Sequence, residues 1–276
     1  MTQPYANGNA AGSGRPTEGP EATLIGVVLD RSGSMNAVRE PTISGFNEFL
    51  HGQQRLATGG RALMSLTQFD DRFEVNFVGE PIETLPDLDT HSYVPRGSTA
   101  LFDAIGRTVL ELEAWTSTHV WKERVLVLII TDGQENASTE YDARAISALI
   151  EQKEKDGWNF AYMGANQDSF EVAGSLSIRR DFTANYDSSL EGTLANYQRM
   201  TSSTAAYRAA RAKGQAAANF FGSSNGPSGK TSGIGTLRPK GAGGATGGGQ
   251  RRLRRAWRIG DIKEWCTGRH DGERGH

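Results

Sequence analysis

The chain has 276 residues, a formal net charge of −2, 37% hydrophobic residues and 34 glycines, enough length for one substantial core diluted by polar, glycine-rich segments. Its one cysteine, Cys266, excludes an intramolecular disulfide, no apolar run approaches the roughly 20 residues of a membrane helix, and the N-terminus lacks the basic start and apolar core of a secretory leader, so a soluble cytoplasmic protein is expected. Residues 1–208 carry 17 Lys+Arg against 28 Asp+Glu while residues 209–276 carry 13 against 4, so an acidic front, which suits cations better than phosphate backbones, precedes a basic tail.

Residues 1–20 are rich in Gly, Ala, Asn and Pro without periodicity and read as disordered. The first strand is "ATLIGVVL" (22–29), a continuous apolar run suited to burial on both faces. Ile43, Phe46, Phe49, Leu50 and Leu56 then fall near one helical face. "RALMSLTQF" (61–69) and "DRFEVNFVG" (71–79) read as two strands joined tightly at Asp70 and Asp71, hence antiparallel. A loop with Pro81, Pro86 and Pro95 ends at "PRGST", and Leu101, Ile105, Val109 and Leu112 repeat at helical spacing after it. "RVLVLII" (124–130) is the second wholly apolar strand. The next helix is expected to be capped by Thr139, with Tyr141, Ala145, Ile146, Leu149 and Ile150 on one stripe. "WNFAYMG" (158–164) is a further strand, "DSFEVAGSL" a short helix, "IRRDFTAN" a polar edge strand, and residues 188–211 a closing helix with Leu190, Leu194 and Tyr197 facing inward.

This alternation predicts an α/β, doubly wound domain over 21–208, its central sheet mostly parallel with one antiparallel edge strand and helices on both faces. Residues 209–276 form a glycine-rich linker and a basic, low-complexity tail.

In such a sheet, ligands bind outside the carboxyl ends of the strands. Asp30 closes the first apolar strand and Asp132, in "LIITDGQEN", closes the second. If these strands are neighbours, the two carboxylates share one rim, where they repel unless a cation or a shared proton separates them. In "VVLDRSGSMN" the hydroxyls of Ser32 and Ser34 follow Asp30 at alternating positions. Three chemistries compete for this segment: a nucleophile, a helix cap and a cation site. An all-oxygen set suits a hard cation, Mg²⁺ most naturally, with Mn²⁺ or Ca²⁺ as substitutes.

"DRSGSM" resembles the D-x-S-x-S signature of the von Willebrand factor type A domain, where it forms the metal-ion-dependent adhesion site. The family's other elements are a threonine in a loop before a helix and an aspartate in a T-D-G turn. "RGSTALFDAI" supplies the threonine as Thr99 and "TDGQEN" supplies the aspartate as Asp132. The resemblance implies that Ser32, Ser34 and Thr99 touch the metal while Asp30 and Asp132 act mainly through bound waters. It further implies a Rossmann-like fold and a non-enzymatic module that holds an acidic side chain of a protein partner. Bacterial relatives act as scaffolds or as partners of ATPase subunits, which suggests an assembly role.

The alternative from another class is an Mg²⁺-dependent phosphoryl-transfer enzyme with Asp30 as nucleophile. Haloacid-dehalogenase-like phosphatases need a second aspartate two residues on, and position 32 is serine. No G-x-S-x-G elbow occurs for serine hydrolysis, and the five histidines are scattered. "GPSGKTS" (226–232) imitates a phosphate loop but has Ser224 where glycine is required. Cys266 with His270 lacks the ligand count for zinc. "RRLRRAW" in the tail suits nucleic acid, an anionic membrane surface or the acidic front of its own domain, and equally a merely solubilising tail.

Overall fold

The computed structural model describes residues 22–56, 59–118, 124–165, 169–216 and 219–222. The N-terminal segment 1–20, most of the glycine-rich linker, the phosphate-loop look-alike, Cys266, His270 and the basic tail therefore lie outside the described residues.

Six strands form one sheet in the order β3-β2-β1-β4-β5-β6. They are β1 (Ala22–Asp30), β2 (Arg61–Phe69), β3 (Phe73–Pro81), β4 (Val125–Thr131), β5 (Asn159–Ala165) and β6 (Thr183–Tyr186). Every pairing is parallel except β2–β3, which is antiparallel and places β3 at one edge. The wholly apolar runs are the central strands, and every residue of β1 and β4 is buried, as strands covered by helices on both faces require. The helices are α1 (Arg39–Gln54), α2 (Leu101–Thr118), α3 (Ala143–Lys155), α4 (Ser169–Ser175) and α5 (Leu190–Ala212). Their buried stripes, such as Phe46, Phe49 and Leu50 on α1 and Ile105, Val109 and Leu112 on α2, join the strands in one hydrophobic core.

Three local expectations fail: Ala145 is exposed, off the buried stripe of α3 that Ile146, Ile150 and Lys153 form, and two more fail at helix starts for physical reasons. The cap of α3 is Asp142, whose carboxylate accepts from Ala145 N at 2.8 Å. Thr139 is upstream of the helix because its backbone N–H donates to Asp103 Oδ2 at 2.8 Å, as residues 139–141 wrap around that carboxylate. Leu190 does not face inward and is 60% exposed. It directly follows the cap Ser189, which accepts from Gly192 N, and the inward stripe of α5 is Thr193, Asn196, Tyr197, Met200, Thr204, Tyr207 and Arg208.

Packing continues past residue 208. Phe220 stacks on Phe182 at 5.3 Å between ring centroids and meets Phe221 edge-on at 4.8 Å. Phe221 N donates to Asp181 O. Among the described residues no helix is long and apolar enough to cross a membrane.

Candidate metal centre

β1 and β4 are hydrogen-bonded neighbours, with Leu29 opposite Ile130. Asp30 thus ends one strand beside Thr131, the last residue of the other, at the carboxyl rim of the sheet. On the far side of β1, Asp30 is opposite Phe69 of β2. The sheet order reverses between β1 and β4, so this rim is the crevice where doubly wound folds take ligands.

The five residues singled out by sequence come together here. Ser32 Oγ and Ser34 Oγ are 3.0 Å apart. The Ser34 hydroxyl donates to Asp132 Oδ1 at 2.6 Å. Gly133 supplies the most telling measurement. A Cβ built on it would lie 2.9 Å from Thr99 Oγ1, 3.4 Å from Ser34 Oγ and 3.6 Å from Ser32 Oγ. Three hydroxyls from two separate loops therefore surround one point that only the absence of a side chain at Gly133 keeps open.

Asp30 is behind them and fully buried. Its Oδ1 accepts from Ser32 N and its Oδ2 from Thr131 Oγ1, each at 2.6 Å. Burial, opposed in part by these bonds, pushes its carboxyl up to about 6. Asp132 is half-buried and is raised too, chiefly by burial, while hydrogen bonds from Ser34 and Ser188 lower it. Each carboxylate thus lacks a compensating positive charge at the point where the hydroxyls converge.

The competing chemistries separate on this geometry. A nucleophile needs an oxygen open to attack, but Asp30 has no exposed surface and both oxygens are engaged. The cap reading fails for Ser34, whose hydroxyl points to Asp132, and no side-chain cap bond is made at the start of the 3₁₀ turn Gly33–Val38 or of α1. The Thr99 hydroxyl makes no hydrogen bond among the described residues. Nor do the described residues contain a group of three or more His, Cys, Asp or Glu able to hold a metal. A cation here must therefore rely on hydroxyls, and the oxygens present fit a hard one.

Several residues that build the site carry no periodic signal in the sequence. Tyr93 donates its hydroxyl to Asp30 O at 2.7 Å from a buried position. Asn136 fixes the Thr99 backbone at both ends: its Oδ1 accepts from Thr99 N and its N donates to Thr99 O. Glu135 accepts from Phe102 N, at the start of α2, as well as from Ala137 N and Ser138 N. Their only sequence cue is adjacency, since Glu135 and Asn136 complete the "TDGQEN" segment.

No protein-family model matches the chain, and no curated protein matches it. Solved structures similar to it include the mussel byssus proximal thread matrix protein 1 with a zinc-occupied MIDAS motif, at 17% identity and a TM-score of 0.48, over 67% of this chain and 46% of that one. Manganese-loaded TRAP protein from Plasmodium vivax is similar at 16% identity and a TM-score of 0.43, over 63% of this chain and 71% of that one. A von Willebrand factor type A protein from Catenulispora acidiphila is similar at 16% identity and a TM-score of 0.46, over 67% of this chain and 43% of that one. The chain spans about half the length of the byssus protein. Its own strand order, with an antiparallel edge strand on an otherwise parallel sheet, is a doubly wound α/β architecture.

Proposed function

We propose that this chain is a divalent-cation-dependent protein-binding module of the von Willebrand factor type A kind, and not an enzyme. The observation that supports this reading is the convergence of Ser32, Ser34 and Thr99 hydroxyls around one open point at the rim of the sheet, backed by Asp30 and Asp132. Ser32, Ser34 and Thr99 would hold the ion, with the two carboxylates behind them. Mg²⁺ suits the oxygen set best and Mn²⁺ or Ca²⁺ would substitute. Bound there, the ion supplies a positive charge that neutral hydroxyls leave incompletely neutralised, open to an acidic side chain of a partner.

The protein's own residues perform the rest. Thr131 and the Ser32 backbone orient Asp30. Asn136 fixes Thr99. Asp132 and Ser34 form the solvent-facing side, where a partner would approach. By the resemblance alone, we assign the module a cytoplasmic scaffold or assembly role, with an ATPase subunit as candidate partner and an anionic surface as the candidate contact of the basic tail.

Gly133→Ala tests the reading without touching a ligand. The added methyl occupies the cradle, displaces Thr99 Oγ1 and rests in van der Waals contact with both serine hydroxyls. Calorimetric titration with Mg²⁺ and Mn²⁺ should show binding in the wild type and none in Gly133→Ala or Asp132→Ala, while both variants still unfold cooperatively. Equal binding by Gly133→Ala would remove the site. Turnover of a generic aryl phosphate that vanishes in Asp30→Asn would restore the phosphoryl-transfer alternative.

A further inference from the structure

We propose that Asp70 and Arg96 are positioning residues for this site, forming a latch that holds the Thr99 loop against the loop of Ser32 and Ser34. The inference rests on the metal-site reading above and adds residues that the D-x-S-x-S, threonine and T-D-G elements do not contain. Asp70 directly follows β2 and its side chain is fully buried. Its Oδ2 accepts from Arg96 Nε at 2.8 Å, and Arg31 Nε is 3.2 Å from the same oxygen. The Arg31 N–H is not aligned on Oδ2, so that contact is coulombic and not a hydrogen bond. Oδ1 accepts from Arg72 N at 2.6 Å. Arg31 also donates to Glu74 at 2.6 Å.

Each arginine is adjacent in sequence to the functional oxygens. Arg31 lies between Asp30 and Ser32, and Arg96 is three residues before Thr99. The two loops are laced where the shared carboxylate holds them. Arg96 N donates to Arg31 O at 2.8 Å, Gly33 N to Gly97 O at 3.1 Å and Ala100 N to Asp70 O at 2.9 Å. Between Tyr93 and Thr99, Arg96 is the only polar side chain bonded to β1, β2 or the residues that follow them, among the described residues. Asn136 holds Thr99 from the β4 side and Tyr93 ties the start of the loop to Asp30, while between them the Arg96–Asp70 pair is the side-chain bond that adds to the backbone lacing on the Ser32 side.

Electrostatics and geometry make opposite predictions for removing that bolt. Arg96 is 46% exposed at the side chain, so replacing it deletes a positive charge near a cation site. Charge alone would then tighten cation binding. A latch predicts the reverse, because a freed Thr99 loop no longer holds its hydroxyl in place. Asp70→Asn is the poorer variant, since it removes the buried carboxylate beside the Arg31 guanidinium, leaving it the half-exposed Glu74, and threatens folding. Arg96→Gln keeps the Asp70–Arg31 pair.

The experiment measures Mn²⁺ binding to the full chain by electron paramagnetic resonance for wild type, Arg96→Gln, Thr99→Ala and the double variant. Arg96→Gln should weaken Mn²⁺ by about tenfold, the range of outer-shell partners of metal sites. In the Thr99→Ala background it should have no further effect, because it acts through Thr99. Amide exchange in EDTA should quicken at Gly33 and Ala100 in Arg96→Gln and stay unchanged in β1 and β4. Wild-type binding with Arg96→Gln unaffected, tightened, or additive with Thr99→Ala overturns the latch alone. A wild type that takes up no Mn²⁺ overturns the metal-site reading and this role with it.

Discussion

The carboxyl rim of the sheet and the seam between α1 and α5 both bury polar groups, but they treat them differently. At the rim, Asp30, Asp70 and Arg31 are each engaged, the first by two hydrogen bonds and the others by each other and their neighbours. At the seam, the hydroxyls of Thr42, Thr193, Thr204 and Tyr197 are buried without a hydrogen-bond partner among the described residues. Arg208 is 2% exposed and is met by carbonyls: its Nη1 donates to Gln53 O at 2.8 Å and its Nη2 to Gly60 O at 2.8 Å. A polar atom held by partners is a positioned instrument, whereas one buried without them and facing no ligand cradle only weakens the fold. The rim is specified for a task, and the seam is tolerated.

The comparison breaks most visibly at Arg208. Its guanidinium satisfies the Gln53 carbonyl at the C-terminal end of α1, where a cation also meets the negative end of the helix dipole, and the Gly60 carbonyl just before β2. Burial lowers its pKa, so the charge itself is held at some expense. Arg208→Ala should destabilise the domain by about 3 kcal/mol through a cavity and orphaned carbonyls, and Arg208→Met, which refills the volume, by roughly half that. Urea unfolding measures both. A Met variant as damaging as Ala would show that the carbonyls, and not the volume, carry the effect.

At the rim the corresponding test is pH. Burial raises the folded Asp30 carboxyl from 3.8 to about 6. Below about pH 3 both states hold the proton and no difference arises. Between about pH 4 and 6 the unfolded chain ionises first, so metal-free stability falls as pH rises, and above about 6 the loss is complete at ~3 kcal/mol. Asp132 is raised as well and acts in the same direction. The stability difference between wild type and Asp30→Asn in EDTA should therefore shift by about 3 kcal/mol against the wild type between pH 3 and 7. A difference flat in pH would mean that burial does not govern this carboxylate. Added Mg²⁺ should offset the loss at pH 7 and do little at pH 4.5, because protons compete for the site.

The same contrast explains what was legible in the sequence. The apolar runs of β1 and β4 and the stripes of α1 and α2 announced the core, since burial on both faces leaves a continuous apolar signature. The strand ends then deliver Asp30 and Asp132 to one rim and the alternating positions after Asp30 deliver Ser32 and Ser34, whereas Thr99 is implied only by the resemblance to the type A signature. Thr139 misleads because a threonine before a helix looks the same whether its side chain caps the helix or its backbone N–H is captured by a distant Asp103. Leu190 misled because helical phase is poorly defined on α5, whose inward face is largely threonine, tyrosine and arginine. Asp70, Arg96, Tyr93 and Asn136 act across the fold, so no local window contains both partners of the Arg96–Asp70, Tyr93–Asp30 or Asn136–Thr99 bond.

The smallest effect belongs to the seam and has the less common sign. Tyr197 is 1% exposed, and its ring fills the space that Gly45 leaves, where a Cβ would come within 2.4 Å of it. The ring is therefore needed, while its hydroxyl has no partner among the described residues. Tyr197→Phe keeps the packing and removes the unpaired group. Thr204→Val does the same for a hydroxyl on the next turns of the helix. Each should stabilise the domain by up to about 1 kcal/mol, raising Tm by roughly 2–4 °C for a domain of this size. Most substitutions destabilise, so a rise would be hard to obtain by accident. Ser32→Ala at the rim, an equally small change, should leave Tm nearly unchanged in EDTA and cancel the Mg²⁺-induced rise. If Tyr197→Phe instead lowers Tm, its hydroxyl has a partner such as a bound water, and the seam is as well specified as the rim.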